Sequence, residues 1–182
     1  MIVSLAEFNE YTQNFEDSTE ASALKENYLL AAEQIVSDYL GYNPLQAVYD
    51  EMFSGIGDYK LYLNARPVKV VCELEVEHKV IPLEFIGTHD DYIYNIFGYK
   101  IFVEGINNIH CSYIAGYTQE EMPEIFKVTI MRIAALMLQE QGGNIGLTGK
   151  AMGENSRTFI NYSNYDKYLQ PLESMRVIRY VG

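Results

Sequence analysis

"SYIAGYTQEEMPEIFKVTIMRIAALMLQEQ", Ser112 to Gln141, holds the change of rhythm that decides the fold. Up to Ile114 apolar residues alternate with their neighbours, the period of a strand with one buried face. Gly116-Tyr117 closes that strand, and Pro123 stands where the first turn of a helix tolerates a residue without an N–H. Phe126, Ile130, Ile133, Ala134, Met137 and Leu138 then recur at spacings of four and three, the most apolar helical pattern in the chain, until Gly142-Gly143 ends it. The spacing predicts a helix over 124–141 packed against a second long helix.

That second helix lies near the N-terminus. Ser4-Leu5-Ala6-Glu7 has the separation of a capping box and opens a short helix through about Tyr11. Asp17-Ser18-Thr19-Glu20 caps a longer helix, in which Leu24, Tyr28, Ala31, Ala32, Ile35, Tyr39 and Leu40 predict one buried stripe. Gly41 and Asn43-Pro44 stop it, and Ser54-Gly55-Ile56-Gly57-Asp58 marks the next break. From Tyr59 to Tyr117 the period falls to two. Leu61 and Leu63, then Val68, Val70, Cys72, Leu74 and Val76, predict inward-facing positions. Ile81–Ile86, Tyr92–Ile96, Lys100–Val103 and Ile109–Ile114 read as further short strands, with Gly87, Gly98-Tyr99 and Gly105–Asn108 at the turns. Short strands at this spacing make an antiparallel sheet, not βαβ units. The expected class is therefore α+β: a helical bundle of N-terminal helices plus one long apolar helix, with an inserted antiparallel β-sheet and a flexible C-terminal arm. The boundaries fall at 1–58 for the N-terminal helices, 59–118 for the sheet, 119–142 for the bundle helix and 143–182 for a Gly-rich hinge and arm.

The 182 residues, 48% of them hydrophobic, suffice for one substantial core or a core plus a subdomain. No apolar run approaches the roughly 18–20 residues that span a bilayer. Met1-Ile2-Val3-Ser4 carries neither a basic nor an apolar leader pattern, so no signal peptide and cytoplasmic synthesis are expected. The net charge of −12 is unevenly placed: residues 1–51 hold ten acids and one base, Lys25, whereas Arg157, Lys167, Arg176 and Arg179 face only Asp166 and Glu173 after residue 156. Tight phosphate binding needs clustered Lys and Arg, so the chain is a poor nucleic-acid binder. The asymmetry suits head-to-tail contacts between copies or a partner of opposite sign, and a solvated acidic face accounts for it equally well. Cys72 and Cys111 sit in strand-like alternation without a C-x-x-C pair, and read as buried structural thiols.

Three candidate chemistries fail on spacing. "GGNIGLTGKAMGEN", Gly142 to Asn155, approaches a phosphate-binding loop, but five residues separate Gly143 from Gly149, Ala151 follows Lys150, and the segment follows a helix. His89-Asp90-Asp91 is ordinary turn chemistry. His78, His89 and His110 accompany no recognisable nucleophile setting. No catalytic, cofactor-binding or metal residue is expected, and the chain does not read as an enzyme. The glycine-rich stretch reads instead as a hinge that orders when a neighbour arrives. Sixteen tyrosines and no tryptophan are the stronger anomaly, since tyrosine suits surfaces that are alternately wet and buried. Tyr162, Tyr165, Tyr168 and Tyr180, beside Arg176 and Arg179, read as contact surface.

Taken in order, these features resemble the head–tail connector (adaptor, or head-completion) proteins of tailed bacteriophages, a family associated with DNA packaging. The matching marks are Leu5 and Phe8 in an acidic helical N-terminus, a long helix ending Leu40-Gly41, and a strand opening Leu61-Tyr62-Leu63 followed by Arg66-Pro67-Val68. The sheet ends in Tyr113-Ile114-Ala115-Gly116-Tyr117, followed by Pro123, the helix Ile125 to Gln141, a Gly-rich segment and a basic, Tyr-bearing tail from Arg176 to Tyr180. The resemblance implies a structural ring, commonly of twelve copies, under the portal protein. Such a ring extends the DNA channel, offers a surface to a stopper or tail-completion protein, and lets DNA pass without sequence-specific binding. It assembles in the host cytoplasm and ends in the virion neck, with no membrane partner. Contacts to neighbours and portal are expected at Gly143, Gly146, Gly149, Lys150, Arg157, Tyr165, Tyr168, Arg176, Arg179 and Tyr180. The rival readings are another β-rich binding module of a phage neck or tail and, behind it, an enzyme with a Gly-rich lid.

Overall fold

In a computed structural model of the chain, Ser4 opens α1 (Leu5–Thr12) with the reciprocal bonds its spacing predicts. Its Oγ accepts from the Glu7 N–H at 3.2 Å, and Glu7 Oε2 accepts from the Ser4 N–H at 2.8 Å. The structure describes residues 1–16, 18–140, 147–150, 157–159 and 165–177, with the backbone alone at 147–150 and 157–159. The chain divides into a helical unit, 1–40 with 122–176, and a β unit, 41–121 with 177–182. In the helical unit Ser18 Oγ caps α2 (Thr19–Leu40) by accepting from the Ala21 N–H at 3.2 Å.

The buried stripe of α2 is Lys25, Leu29, Ala32, Val36 and Leu40. This corrects the predicted stripe, of which only Ala32 and Leu40 are buried; Leu24, Tyr28, Ile35 and Tyr39 are half-buried and Ala31 is exposed. The reason is Lys25, which apolar periodicity counts as surface. Its ammonium donates to Asn9 Oδ1 at 2.8 Å, to the Asn14 carbonyl at 2.8 Å and to the Glu16 carbonyl at 3.1 Å. With three acceptors met, the charge no longer forbids burial, and the aliphatic stem takes a core position. α3 (Glu124–Gln139) packs against α2. It buries Phe126, Ile130, Ile133 and Ala134 as its spacing predicts, together with Thr129 and Met131, while Met137 and Leu138 stay half-buried.

The β unit contains β1 (Ala47–Gly55), β2 (Lys60–Tyr62), β3 (Val68–Val76), β4 (Lys79–Val80), β5 (Ile86–Thr88), β6 (Tyr92–Asn95) and β7 (Gly105–Ala115). One antiparallel sheet has the order β1-β7-β3-β4, and a second the order β2-β6-β5. The long central strand β7 alternates cleanly, burying Ile109, Cys111, Tyr113 and Ala115. β1 lies before the predicted start of the sheet at Tyr59. Its inward positions are Tyr49, Glu51 and Phe53, and the carboxylate in the middle breaks the apolar alternation. Glu51 is tolerated there because its Oε2 accepts from the Tyr113 hydroxyl at 2.6 Å and its Oε1 from Asn64 Nδ2 at 3.3 Å.

In β3, Val68, Leu74 and Val76 are buried as their spacing predicts, but the phase differs between them. Register shifts between Val68 and Val70 and between Val71 and Glu73 bury Val71 and leave Val70 and Cys72 exposed. One irregularity in the pairing reverses the face assignments beyond it, and the second restores them. Only Cys111 is thus a buried thiol, and burial pushes its pKa up to about 12. The predicted strand Ile81–Ile86 is instead a 3₁₀ turn at Leu83–Phe85 following Pro82, which has no N–H to give a ladder. Lys100–Val103 contributes only a bridge from the fully buried Phe102 to Asp58. At the junction quoted first, Gly116 has φ +102°, and a Cβ there would lie 2.6 Å from the Leu45 carbonyl oxygen. Its N–H donates to the Pro67 carbonyl at 3.0 Å, and the Tyr117 N–H donates to the Pro44 carbonyl at 2.8 Å.

After α3 come two further strands, β8 (Leu147–Lys150) and β9 (Arg157–Phe159), paired antiparallel, then α4 (Asp166–Leu169) and a 3₁₀ turn over Gln170–Met175. The Gly-rich hinge expected here is therefore a strand at 147–150; its remainder, 143–146 and 151–156, lies outside the described residues. The expected arm is corrected as well. Leu169 and Leu172 are buried, and this segment packs against α2 and α3 within the helical unit.

Candidate functional site

Tyrosines gather on the outer face of the smaller sheet. The register pairs Lys60 with Tyr94, Leu61 with Ile93 and Tyr62 with Tyr92. Strand alternation sends Leu61 and Ile93 to the buried side and Lys60, Tyr62, Tyr92 and Tyr94 to the other. Ring centroids are 5.4 Å apart for Tyr62 and Tyr92 and 6.0 Å for Tyr92 and Tyr94, while His89 stacks on Tyr92 at 4.5 Å with planes 12° apart. The Lys60 ammonium lies 4.6 Å from the Tyr92 ring centre and 5.3 Å from that of Tyr59. Gly87 faces Tyr94 across the ladder, and a Cβ on it would stand 2.4 Å from Tyr94 Cζ. The missing side chain is what lets that ring lie across β5. At the other end of the β5–β6 pair, Phe97 contacts Phe85 at 5.8 Å and Tyr99 at 6.1 Å. Tyr62, Phe97 and Tyr99 are 57%, 60% and 69% exposed. Apolar rings concentrated on one solvent-facing surface mark a contact site. Sequence reasoning placed the interface tyrosines at the C-terminus and missed this face. The available signal was Tyr92-Ile93-Tyr94, a strand whose outward positions hold rings where polar residues are usual.

Gly149 and Lys150 lie in β8 and Arg157 in β9, where the register makes Lys150 and Arg157 cross-strand partners. Gly143, Gly146, Arg179 and Tyr180 lie outside the described residues. Tyr165 is half-buried, and desolvation raises its hydroxyl pKa. Tyr168 carries the Lys167 ammonium 4.7 Å from its ring centre. Arg176 is engaged inside the helical unit: its guanidinium lies 4.6 Å from the Tyr39 ring centre, Nε donates to the Tyr39 carbonyl at 3.0 Å, and Nη1 meets Glu173 Oε1 at 3.1 Å. The Tyr39 hydroxyl donates to Glu173 too, and that bond, followed by Arg176, holds the Glu173 carboxyl below its ordinary pKa.

Tyr168 also lines a groove of about 830 Å³ in the helical unit, between Tyr11 and Asn14 at the end of α1 and Arg132, Leu136 and Gln139 on α3. Elsewhere two of the three histidines pair singly with carboxylates: His89 Nδ1 lies 3.1 Å from Asp91 Oδ1, and His110 pairs with Asp50. Among the described residues no three His, Cys, Asp or Glu side chains converge as metal ligands, and no helix is long and apolar enough to cross a membrane. These surfaces present exposed rings on a sheet and a groove lined, among the described residues, by one guanidinium.

No family model matches the sequence, and none of the curated proteins compared with it is a match. The fold, however, is shared with chains of phage-like particles. One, from the virion of the native gene transfer agent (GTA) particle, superposes with a TM-score of 0.65 at 15% identity, covering 100% of this chain and 92% of the other. A chain from the neck of the empty GTA particle, computed with C6 symmetry, gives 0.61 at 15% identity with coverage of 100% and 92%. A third, from the neck of the native GTA particle computed with C12 symmetry, gives 0.60 at 14% identity with coverage of 98% and 90%. The likeness is one of fold, and it extends over the whole chain.

Proposed function

We propose that this chain is a structural neck protein of a phage-like particle, a head–tail connector that forms a ring under the portal, extends the DNA channel and joins head to tail. The observation that carries the reading is the whole-length fold likeness to chains of GTA particle necks, one of them computed with C12 symmetry. The order of sequence features supports it independently. On this reading the helical elements form a bundle into which the β unit is inserted. The function is exerted by binding, with no catalytic step. An acidic chain suits a DNA conduit, because carboxylates repel phosphates and oppose adhesion of the passing genome. The β8–β9 pair with Gly149, Lys150 and Arg157, together with Tyr168 and the tail bearing Arg179 and Tyr180, is assigned to contacts with the portal or a neighbouring subunit. The aromatic sheet face, far richer in exposed rings, is assigned to the stopper or tail-completion protein.

Co-sedimentation of the purified chain with the portal from the same genome, followed by negative-stain imaging, tests this. A ring stacked coaxially on the portal is expected. Failure to bind any portal, stopper or tail-completion ring at micromolar concentrations would count against the neck assignment itself.

A further inference from the structure

We propose that the groove of the helical unit receives the outer face of α2 from a second copy of this chain, with Glu26 of that copy against Arg132 and its Leu30 against Leu136. This rests on the ring reading above and names the interface that builds the ring. Two separate surfaces of the helical unit carry the argument. The first is the groove, whose only charged lining residue among those described is Arg132. The other described basic side chains of this unit are all engaged. Lys25 donates to Asn9 and two carbonyls, Lys127 pairs with Glu7 at 3.0 Å, Lys167 lies over Tyr168, and Arg176 lies over Tyr39. Exposed Arg132 has no hydrogen-bond, ion-pair or ring partner among the described residues.

The second surface is the side of α2 opposite its buried stripe, where Ala23, Asn27, Leu30 and Gln34 are exposed. Leu30 is 52% exposed, the only large hydrophobic side chain of α2 left so open. Glu26 precedes it by one turn, is exposed, and has no hydrogen-bond or ion-pair partner among the described residues. On both helices the charged residue stands four positions before a leucine, a separation of about 6 Å along the axis. The charges are opposite and the order is the same, so two α-helices laid parallel satisfy both contacts at once. Because groove and helix face are different surfaces of one subunit, the contact is heterologous, and repetition of such a contact closes into a ring or runs on as a filament. The acidic excess of residues 1–51 is then the complement of a groove that offers one cation.

Charge reversal tests it on the full-length chain. Arg132→Glu and Glu26→Arg are each exposed substitutions expected to leave the far-ultraviolet circular dichroism unchanged. Self-association is measured by analytical ultracentrifugation, alone and with the portal ring present. Each single variant is expected to weaken assembly by about tenfold or more, and the double variant to recover it to within about threefold. Leu30→Ala should weaken assembly without touching charge. Wild-type assembly that ignores both single reversals, or a double variant as weak as the singles, overturns this interface while leaving the ring reading in place. A wild-type chain that stays monomeric alone and on the portal overturns both.

Discussion

Replacing Leu172 by alanine tests whether the segment after β9 belongs to the helical unit. The side chain is fully buried in a 3₁₀ turn that packs against both α2 and α3. The substitution removes three carbon groups from a water-free site, a transfer loss of about 2.4 kcal/mol at roughly 0.8 kcal/mol per group. The cavity left behind adds to this, because helices held by other contacts close in only partly, so the total comes to about 3–5 kcal/mol. Urea unfolding of the full chain, followed by far-ultraviolet circular dichroism, reads the effect. With a slope of about 2 kcal/mol per molar urea, the helical transition should move down by about 1.5–2.5 M. Exposed Ser174→Ala in the same turn should leave the midpoint where it is. An unchanged midpoint for Leu172→Ala would falsify the docking and restore the free arm that composition suggests. By the same reasoning, truncation after Tyr162 removes both Leu169 and Leu172 and should destabilise the helices rather than spare them.

Further outcomes follow from the local chemistry. Bonds from Ser4, then Lys127, lower the Glu7 carboxyl from an ordinary 4.5 to about 2. A folded pKa below the unfolded one stabilises above about pH 4.5 and loses that contribution as pH falls toward 2. Glu7→Gln should therefore flatten the acid limb of Tm against pH between 5 and 2, and parallel wild-type and variant curves would contradict this assignment. Gly116→Ala should cost about 3 kcal/mol by urea unfolding, since it combines positive φ with a backbone oxygen 2.6 Å from the new carbon. Gly87→Ala meets only the far end of the Tyr94 ring and should cost under about 1 kcal/mol while shifting the near-ultraviolet tyrosine signal; equal costs at the two glycines would contradict the geometry. A thiol reagent should modify Cys72 in the folded chain and leave Cys111 untouched until unfolding, because the latter is buried with its pKa pushed up to about 12. Two thiols that are equally protected until unfolding would show that β3 keeps the unshifted phase.

Elements built from near neighbours were legible from residue order alone. The Ser4–Glu7 box, the Ser18 cap, and the Phe126-Ile130-Ile133-Ala134 stripe of α3 involve partners within one or two turns, and each stands where the pattern puts it. The break between sheet and helix at Gly116–Pro123 was equally plain, because a change of period needs no distant partner to be seen. The rest turned on residues far apart in sequence. Lys25 is inside because acceptors nine to sixteen positions away meet its ammonium, and Glu51 faces inward because Tyr113, 62 positions on, donates a hydrogen bond to it.

The same division holds for the candidate surfaces. Composition raised the excess of tyrosine and the charge asymmetry, and both suggested a protein that works by contact. Which tyrosines face outward depended on the pairing of Tyr62 with Tyr92 and on Gly87 opposite Tyr94, and the phase of β3 depended on two irregularities in its pairing with β7. Arg176, a contact residue by composition, folds back on Tyr39 and Glu173, while Arg132, unremarkable in the apolar run of α3, is left facing a groove. Residue order by itself determined where the chain could be helix or strand, since those preferences act over a few residues. Tertiary structure alone decided which charges are spent inside the fold and which remain for a partner, since an ion's cost of burial depends on the groups that distant segments bring to it.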